Sequence, residues 1–488
     1  LALIPKEVLA AAAAFRRVGP KVRTNLIGGA VVDMVSGREP KDWDIEVFGL
    51  DPERLLQVAK TLGPASEVGK AFGIVKVTLP SGLDLDLSVP RTDNRVGVGY
   101  KGVSVTLEPN MTNTEAARRR DFTINTLAID LATGKLIDPF GGMADLKAGV
   151  LRATDPTLFV QDPLRGLRAM QLLARKAKIV HPDTVKLIQS IRGEFKDLPP
   201  ARVLEEWRKL LLKADRPSVG LQFLQDSRWI ENFPELAVLK GVPQHPEWHP
   251  EGDVWEHTKL TTDAAAQIRP YLREDQREPY MFAAMLHDVG KALPGITVTP
   301  EDVAAGRHPA DRLYTAYGHD VAGAAPARAF MERIGAPNKV TDLVETLVEV
   351  HMQPHCLSSG GAERAAYTRL ARKVRAVGGD LPLLSRVSQA DAAGSRPRGE
   401  RGFKADGSPD WEHIPTRELS AWQQKFDAEH TFLTPVVQGR DLIHLGYKPS
   451  KTFTEMTAKA LELQDKGLSK EDILAEISRL YPRQNPRR

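Results

Sequence analysis

The apolar run Val8 to Phe15, flanked by charged residues, predicts an N-terminal helix. Thr24-Asn25-Leu26-Ile27 then reads as a short strand ending in the glycine pair Gly28-Gly29. Ala30 to Val35 has the pattern of a helix start, and Gly37 and Pro40 interrupt it. Asp42-Trp43-Asp44-Ile45-Glu46-Val47-Phe48 alternates polar and apolar residues, as a half-buried strand does, so Asp42 and Asp44 share one face. Pro52 to Leu62 predicts a helix. Gly73 to Leu79 and Leu83 to Val89 predict a hairpin across Pro80-Ser81-Gly82, with Asp84 and Asp86 on one face of its second strand. From about residue 153 the pattern turns helical and stays so to the end. The fold class expected is therefore multidomain α+β, a mixed β-sheet with helices followed by a mostly α-helical remainder. The divisions fall at 1–152, 153–240, 241–395 and 396–488, with the Gly-, Pro-, Arg- and Ser-rich stretch Arg396 to Pro409 as a linker or exposed loop.

At 488 residues the chain is too long for a single core. Its net charge of +4 is compatible with a polyanionic partner. Cys356 is the one cysteine, which excludes an intrachain disulfide and predicts a reducing, cytoplasmic location. Val8 to Phe15 is too short to span a bilayer and has no cleavage site after it, so no membrane association is expected. Nothing in the pattern fixes an oligomeric state.

Glycines let a backbone approach a phosphate closely, with amide N–H groups facing it. Adjacent carboxylates repel each other unless a cation lies between them. Alone, a glycine pair is a turn and an Asp-x-Asp is a solvated edge. In the order strand, Gly-Gly, helix, turn, Asp-x-Asp, they read as a phosphate cradle beside a divalent-metal site. Arg118-Arg119-Arg120-Asp121 runs into the mostly apolar Phe122 to Ile129, which places guanidinium groups at the mouth of a buried element. Gln161-Asp162-Pro163-Leu164-Arg165 starts a helix, with Asp162, Arg165 and Arg168 three apart on one face. From spacing alone these are surface ion pairs. Eight of the twelve histidines lie between 245 and 355. His287-Asp288 ends an apolar run, and a buried His–Asp pair needs partners. The ordered set His257, His287-Asp288, His319, His351 and Asp391 supplies mixed imidazole and carboxylate metal ligands.

The strings GGAVVD…KDWDIEV and RRDFTIN resemble the tRNA nucleotidyltransferase and bacterial poly(A) polymerase branch of the nucleotidyltransferase superfamily. Along nearly the whole chain the resemblance is to class II tRNA nucleotidyltransferases of the bacterial multifunctional type. It implies addition or repair of the 3′-terminal CCA of tRNA from CTP and ATP. Asp42, Asp44 and Asp86 would hold two Mg²⁺ ions, and the Gly28-Gly29 turn the triphosphate. Arg119, Arg120, Asp121 and Asn125 would bind the nucleotide, Arg120 and Asp121 at the ribose. Asp162 and Arg165, with Arg168 beside them, would pair with the base edge. Val32 stands where the family usually has arginine, and Gln161 where it usually has an acid.

The histidine set resembles HD-domain phosphohydrolases, which implies His257, His287, Asp288 and Asp391 as core ligands for Mn, Ni, Co, Fe, Zn or Mg. His319 and His351 would serve a second ion, and Lys291 a substrate phosphate. A 2′,3′-cyclic phosphate, 2′-phosphate or nucleotide phosphate would be the substrate. The alternatives for the head are a poly(A) polymerase, or an enzyme adding only CC or only A through the loop 93 to 115. The Val68 to Gly73 segment looks more like the CCA-adding side. A non-enzymatic RNA-binding protein is the third class. Lys459, Lys466, Lys470, Arg483, Arg487 and Arg488 give the helical tail a basic character suited to RNA backbone contacts.

Overall fold

The computed structural model describes residues 3–40, 42–68, 73–95, 103–395, 403–404, 408–410, 413–428 and 435–482. Lys41, most of the Val68 to Gly73 segment, the centre of the 93 to 115 loop, much of the 396 to 409 linker and Arg483, Arg487 and Arg488 lie outside them. The chain divides into two compact units, Leu1–Trp207 with Phe223–Asn232, and Arg208–Gln222 with Phe233–Arg488.

Among the described residues the first unit has eleven strands: β1 (Arg23–Ile27), β2 (Asp44–Phe48), β3 (Ala65–Glu67), β4 (Ile74–Thr78), β5 (Asp84–Ser88), β6 (Arg91–Arg95), β7 (Val103–Leu107), β8 (Ala128–Asp130), β9 (Leu136–Ile137), β10 (Val150–Leu151) and β11 (Ile179–Val180), the last two a short parallel pair. Seven form one sheet in the order β3-β4-β5-β2-β1-β8-β9, and β6 and β7 make a separate antiparallel ribbon. Within the sheet β2 and β5 run parallel and the other neighbours antiparallel. Alternation decides which face is buried. Leu26, Ile45, Val47, Val75, Leu85 and Leu87 enter one core, covered by Val8, Ala12 and Phe15 of the helix Lys6–Arg16 and by Leu55 and Ala59 of the helix Pro52–Leu62. The second helix starts where Asp51 accepts a hydrogen bond from the Arg54 amide and Pro52 occupies its first turn. The intervening residues Asp44, Glu46 and Asp86 therefore stand on the opposite face.

The strand begins at Asp44, so Asp42 lies in the segment that enters it. Asp162 likewise precedes its helix, Arg165–Lys176. Pro163 follows it, and its carboxylate accepts a hydrogen bond from the Leu164 amide at 3.1 Å, which makes it a turn residue. Gly166 sets the position of that helix. A Cβ there would come within 2.4 Å of the Trp229 ring, and Trp229 is fully buried with its indole N–H donating to the Ile188 carbonyl at 2.7 Å.

The second unit is helical, with Val254–Ile268, Glu274–Leu286, His319–Arg333, Asn338–Glu349, Arg364–Ala376, Leu381–Gly394 and Ile414–Ala428 as its longer helices before the tail. Two glycine contacts bring helices close. A Cβ on Gly290 would stand 2.0 Å from the His319 carbonyl oxygen and 2.7 Å from the Gly323 nitrogen. A Cβ on Gly394 would stand 2.2 Å from Thr261 Oγ1. The tail helices Gly439–His444, Lys451–Asp465 and Lys470–Leu480 gather their own core around Leu442, Met456, Ile473 and Ile477. Among the described residues no helix is long and apolar enough to cross a membrane.

Gly166→Ala is expected to destabilise the first unit by about 1–3 kcal/mol, because a rigid buried indole has no room to yield. Denaturant unfolding followed by tryptophan fluorescence measures it, with the parent chain as reference.

Candidate active site and metal centre

The head site follows from strand register. Asp44 is paired with Asp86 across β2 and β5, and with Ile27 across β2 and β1. The first pairing sets two carboxylates side by side, and the second puts the Gly28-Gly29 turn at the same end of the sheet. Gly28 has φ 74°, a backbone region that favours glycine, and a Cβ there would lie 2.8 Å from Asp44 Oδ2. Gly29 opens a seven-residue helix, Gly29–Val35, in which Val32 is fully buried. Burial, then the charges of Asp86 and Asp42, push the Asp44 carboxyl up to about 6, and Arg120 opposes them. Asp42 and Asp86 are exposed. The three carboxylates form an all-oxygen donor set with accumulated negative charge, which suits a hard divalent cation. Their oxygens do not all converge within 4.8 Å. Asp84, on the same strand, is taken by Lys76 at 2.8 Å and by the Thr78 hydroxyl at 2.7 Å.

Glu46, the next residue on that face, is buried and holds Arg120 at 3.0 Å and Arg119 at 3.6 Å. Arg120 also donates to the Asn125 carbonyl at 3.1 Å. Buried Asp121 accepts from the Phe122 amide and from Asn125 Nδ2, both at 2.8 Å, and from Arg168 Nε at 2.6 Å. Burial works against the Asp121 charge, but Arg168 in particular holds its carboxyl below the ordinary value. Arg165 donates to the Leu158 and Arg119 carbonyls at 3.0 and 2.6 Å. Asp162 meets Arg202 at 3.1 Å. The motif arginines and aspartates are thus one network. Glu46 is the member that sequence reading passed over, although it continues the alternation of Asp42 and Asp44.

The second unit gathers the whole histidine set. His257, His287 and His351 are 0–1% exposed, and Asp288 is 1% exposed. Nδ1 of His287, His319 and His351 lies 2.9, 2.7 and 2.7 Å from the carbonyls of Ala284, Ala316 and Val348, each three residues earlier. A carbonyl only accepts, so each Nδ1 carries the proton and each Nε2 lone pair points inward. His319 Nε2 and His351 Nε2 face one another at 3.2 Å. Two lone pairs at that distance require a cation or proton between or beside them.

Asp288 joins two ligand groups. Its Oδ2 lies 3.2 Å from His287 Nε2 and 3.8 Å from His257 Nε2, and its Oδ1 lies 3.1 Å from His319 Nε2 and 3.9 Å from His351 Nε2. His287 Nε2 and Asp288 Oδ2 are buried without a hydrogen bond, so their 3.2 Å approach lacks hydrogen-bond alignment. An unsatisfied imidazole nitrogen converging with a carboxylate oxygen in this way fits a metal ion. Asp391 Oδ1 completes the first group, 2.9 Å from His257 Nε2 and 3.5 Å from His287 Nε2. Burial opposes charge at His287, but Asp288 and Asp391 push its imidazole up to about 10 and so draw a proton onto Nε2 as well wherever no cation lies beside it. Burial and the neighbouring imidazoles push His351 down to about 4. Lys291 Nζ lies 2.7 Å from Asp288 Oδ2 and donates to Gln244 at 2.9 Å.

Glu251 was not anticipated. Its Oε1 lies 2.8 Å from Nδ1 of both His257 and His249, which orients His257. Its signal was a carboxylate one short turn ahead of the helix that carries His257. In the tail, Lys459 and Lys466 pair with Glu462 and Lys470 with Asp441, each at 2.8 Å.

Comparison with known proteins follows the same division. The family model of the poly(A) polymerase head domain matches residues 24–152, that of the probable RNA- and SrmB-binding site of polymerase A matches 179–239, and that of the HD domain matches 254–380. The multifunctional CCA protein of Xanthomonas campestris pv. campestris is 36% identical over 338 residues, 68% of this chain and 75% of the relative. That of Neisseria gonorrhoeae is 35% identical over 337 residues, 68% and 75%. The Bacillus stearothermophilus CCA-adding enzyme in complex with CTP superposes with TM-score 0.63 at 19% identity over 97% of both chains. The Thermotoga maritima CCA-adding enzyme complexed with tRNA does so with TM-score 0.54 at 19% identity, over 97% of this chain and 95% of that one. These two show a shared fold.

Gly290→Ala is expected to push the His287-Asp288 turn away from His319, because the added Cβ meets backbone. Metal content measured on the purified chain should fall at least about tenfold while the helical circular dichroism is retained.

Proposed function

Because the chain belongs to the multifunctional CCA protein family, we propose that it adds or repairs the 3′-terminal CCA of tRNA from CTP and ATP, and that its HD domain is a metal-dependent phosphohydrolase. The observation that carries the first activity is the register that aligns Asp44 with Asp86 beside the Gly28-Gly29 turn. The 3′-OH of tRNA attacks the α-phosphorus of CTP or ATP, the new O3′–P bond forms, and the bond to the β-phosphate oxygen breaks with release of pyrophosphate. Mg²⁺ held by Asp42, Asp44 and Asp86 would lower the barrier by stabilising charge on the attacking and leaving oxygens. Gly28 and Gly29 let the triphosphate approach the backbone. Arg120 and Asp121, fixed by Glu46 and Arg168, address the ribose. Asp162 and Arg165 choose the base, and Arg119, Asn125 and Arg168 support the nucleotide.

Residues 1–152 act as the catalytic head, 153–240 as the neck that selects the nucleotide, 241–395 as the HD body and 396–488 as the linker and tRNA-binding tail. The substrates are those of cytoplasmic tRNA maturation. The curated relatives are CCA proteins and an HD domain is present, which disfavours a poly(A) polymerase, a partial CC- or A-adding enzyme and a non-enzymatic RNA-binding protein.

In the HD body, His257, His287, Asp288 and Asp391 would hold one ion and Asp288, His319 and His351 a second, drawn from Mn, Ni, Co, Fe, Zn or Mg, to polarise a phosphate ester for hydrolysis. Lys291 places a positive charge beside Asp288, suited to a substrate phosphate. A 2′,3′-cyclic phosphate or 2′-phosphate at a tRNA end is the substrate that links the two activities, since its removal frees the hydroxyl that nucleotide addition needs.

Labelled CTP and ATP supplied with Mg²⁺ to tRNA lacking CCA should give two C, one A and then a stop. Asp42→Ala, at an exposed position, should cut incorporation about a thousandfold, the equivalent of roughly 4 kcal/mol of transition-state stabilisation, without changing the fold. A long A tail from ATP alone would instead identify a poly(A) polymerase.

His287→Ala and Asp288→Ala should each abolish phosphate release from a 2′,3′-cyclic or 2′-phosphorylated substrate and leave CCA addition intact. Equal phosphate release by the parent chain and both variants would refute the HD assignment.

A further inference from the structure

Beyond the motif residues, the phosphate cradle has a flank of positive charge that comes from another element. Lys176, the last residue of the helix Arg165–Lys176, has a side chain 10% exposed, and its Nζ lies 4.0 Å from where a Cβ would stand on Gly29. Its ammonium meets Asp33 Oδ1 at 3.1 Å, and Arg38 Nε meets the same oxygen at 3.3 Å. Arg175, the preceding residue, faces Asp33, Glu206 and Arg38. Glu206 is also 3.8 Å from Arg168. Lys176, Arg175 and Arg38 thus share Asp33 and a carboxylate that other arginines use, which leaves an excess of positive charge. Burial pulls the Lys176 ammonium down from its ordinary value and Asp33 sustains its charge. A lysine drawn in beside a glycine turn, with Asp33 shared among three cations, favours a further anion.

The two glycines face different groups. Gly28 abuts Asp44 and Gly29 abuts Lys176. A phosphate chain laid over this turn, with its α-phosphate at the carboxylates, extends toward the ammonium. We propose that Lys176 is a further binding residue for the reaction, anchoring the β- and γ-phosphates of CTP and ATP and hence the leaving pyrophosphate. The inference rests on the nucleotidyltransferase reading of the head. The same helix then serves both ends of the nucleotide. Arg165 and Lys176 are eleven residue steps apart, about 16 Å along the axis, comparable to the reach of an extended nucleoside triphosphate. Lys176 moves no proton; its ammonium donates hydrogen bonds to phosphate oxygens.

The test compares CTP, CMP and pyrophosphate on the full chain in Mg²⁺. Lys176→Met and Lys176→Gln should each weaken CTP binding about tenfold, leave CMP binding unchanged and weaken pyrophosphate inhibition to the same degree. Lys176→Arg should retain the preference for CTP over CMP. A structural role alone would lower CTP and CMP affinity together. An unchanged CTP-to-CMP ratio in both neutral variants, or equal loss for CTP and CMP, would overturn the proposal. Failure of the parent chain to bind CTP at all would overturn the reading of the head, and the role of Lys176 with it.

Discussion

The parallel register between Asp44–Phe48 and Asp84–Ser88 is the constraint from which the head follows. It sets like charges on neighbouring strands, an arrangement that no packing force favours. The core below tolerates it because Ile45, Val47, Leu85 and Leu87 are fully buried on the other face, so a shift of one residue would turn those side chains into solvent. Hydrophobic burial thereby enforces an electrostatically unfavourable pairing, and the Asp44 carboxyl is raised by burial first and by the charges of Asp86 and Asp42 after it. A cation relieves it. The same strand supplies Glu46, whose buried carboxylate fixes Arg120, the arginine that moderates the Asp44 charge. One strand therefore provides both the negative centre and the restraint on its positive neighbour.

The second site reaches a similar end by other means. Its ligands come from helices, and no ladder sets their register. What places them is close helix approach at Gly290 and Gly394, positions where any side chain would strike backbone or a buried hydroxyl. Orientation is then set locally, since three imidazoles donate to carbonyls three residues earlier and leave Nε2 facing inward. Asp288 lies between the two halves and offers one oxygen to each. This explains why the pair His287-Asp288 ends a buried helix. The helix carries the pair into the interior, and the turn that follows must contain a glycine to meet the next helix.

Much of this was legible along the chain, and the limits have a physical origin. Alternation located the strand with Asp86 and clustering located the histidines, because each signal is local. Asp162 misled by spacing, since periodicity does not register that Pro163 starts the helix later and leaves the carboxylate to a turn. Glu251 escaped because its value depends on His257 turning Nδ1 toward it, which is a tertiary event. The tail lysines show the converse. Lys459, Lys466 and Lys470 look like an RNA-facing stripe in sequence, yet Glu462 and Asp441 already hold them. Exposed pairs of that kind are weak, so the charges stay exchangeable with phosphate at little cost.

The departure at Val32 shows why motif positions and electrostatics need not coincide. A motif compares residues at equal places along a chain, whereas the potential at a phosphate sums every charge within reach, whatever element carries it. Val32 is fully buried and contributes no charge. Asp33, its neighbour, points instead to Lys176 and Arg38, so the short helix after the glycine turn borrows its cations from elsewhere. Lys176 arrives at the end of a helix whose position is set by the contact of Gly166 with Trp229. The charge beside the glycine turn is in this sense a property of packing around Trp229, and a change in that packing would move the Lys176 ammonium without touching any residue of the glycine turn.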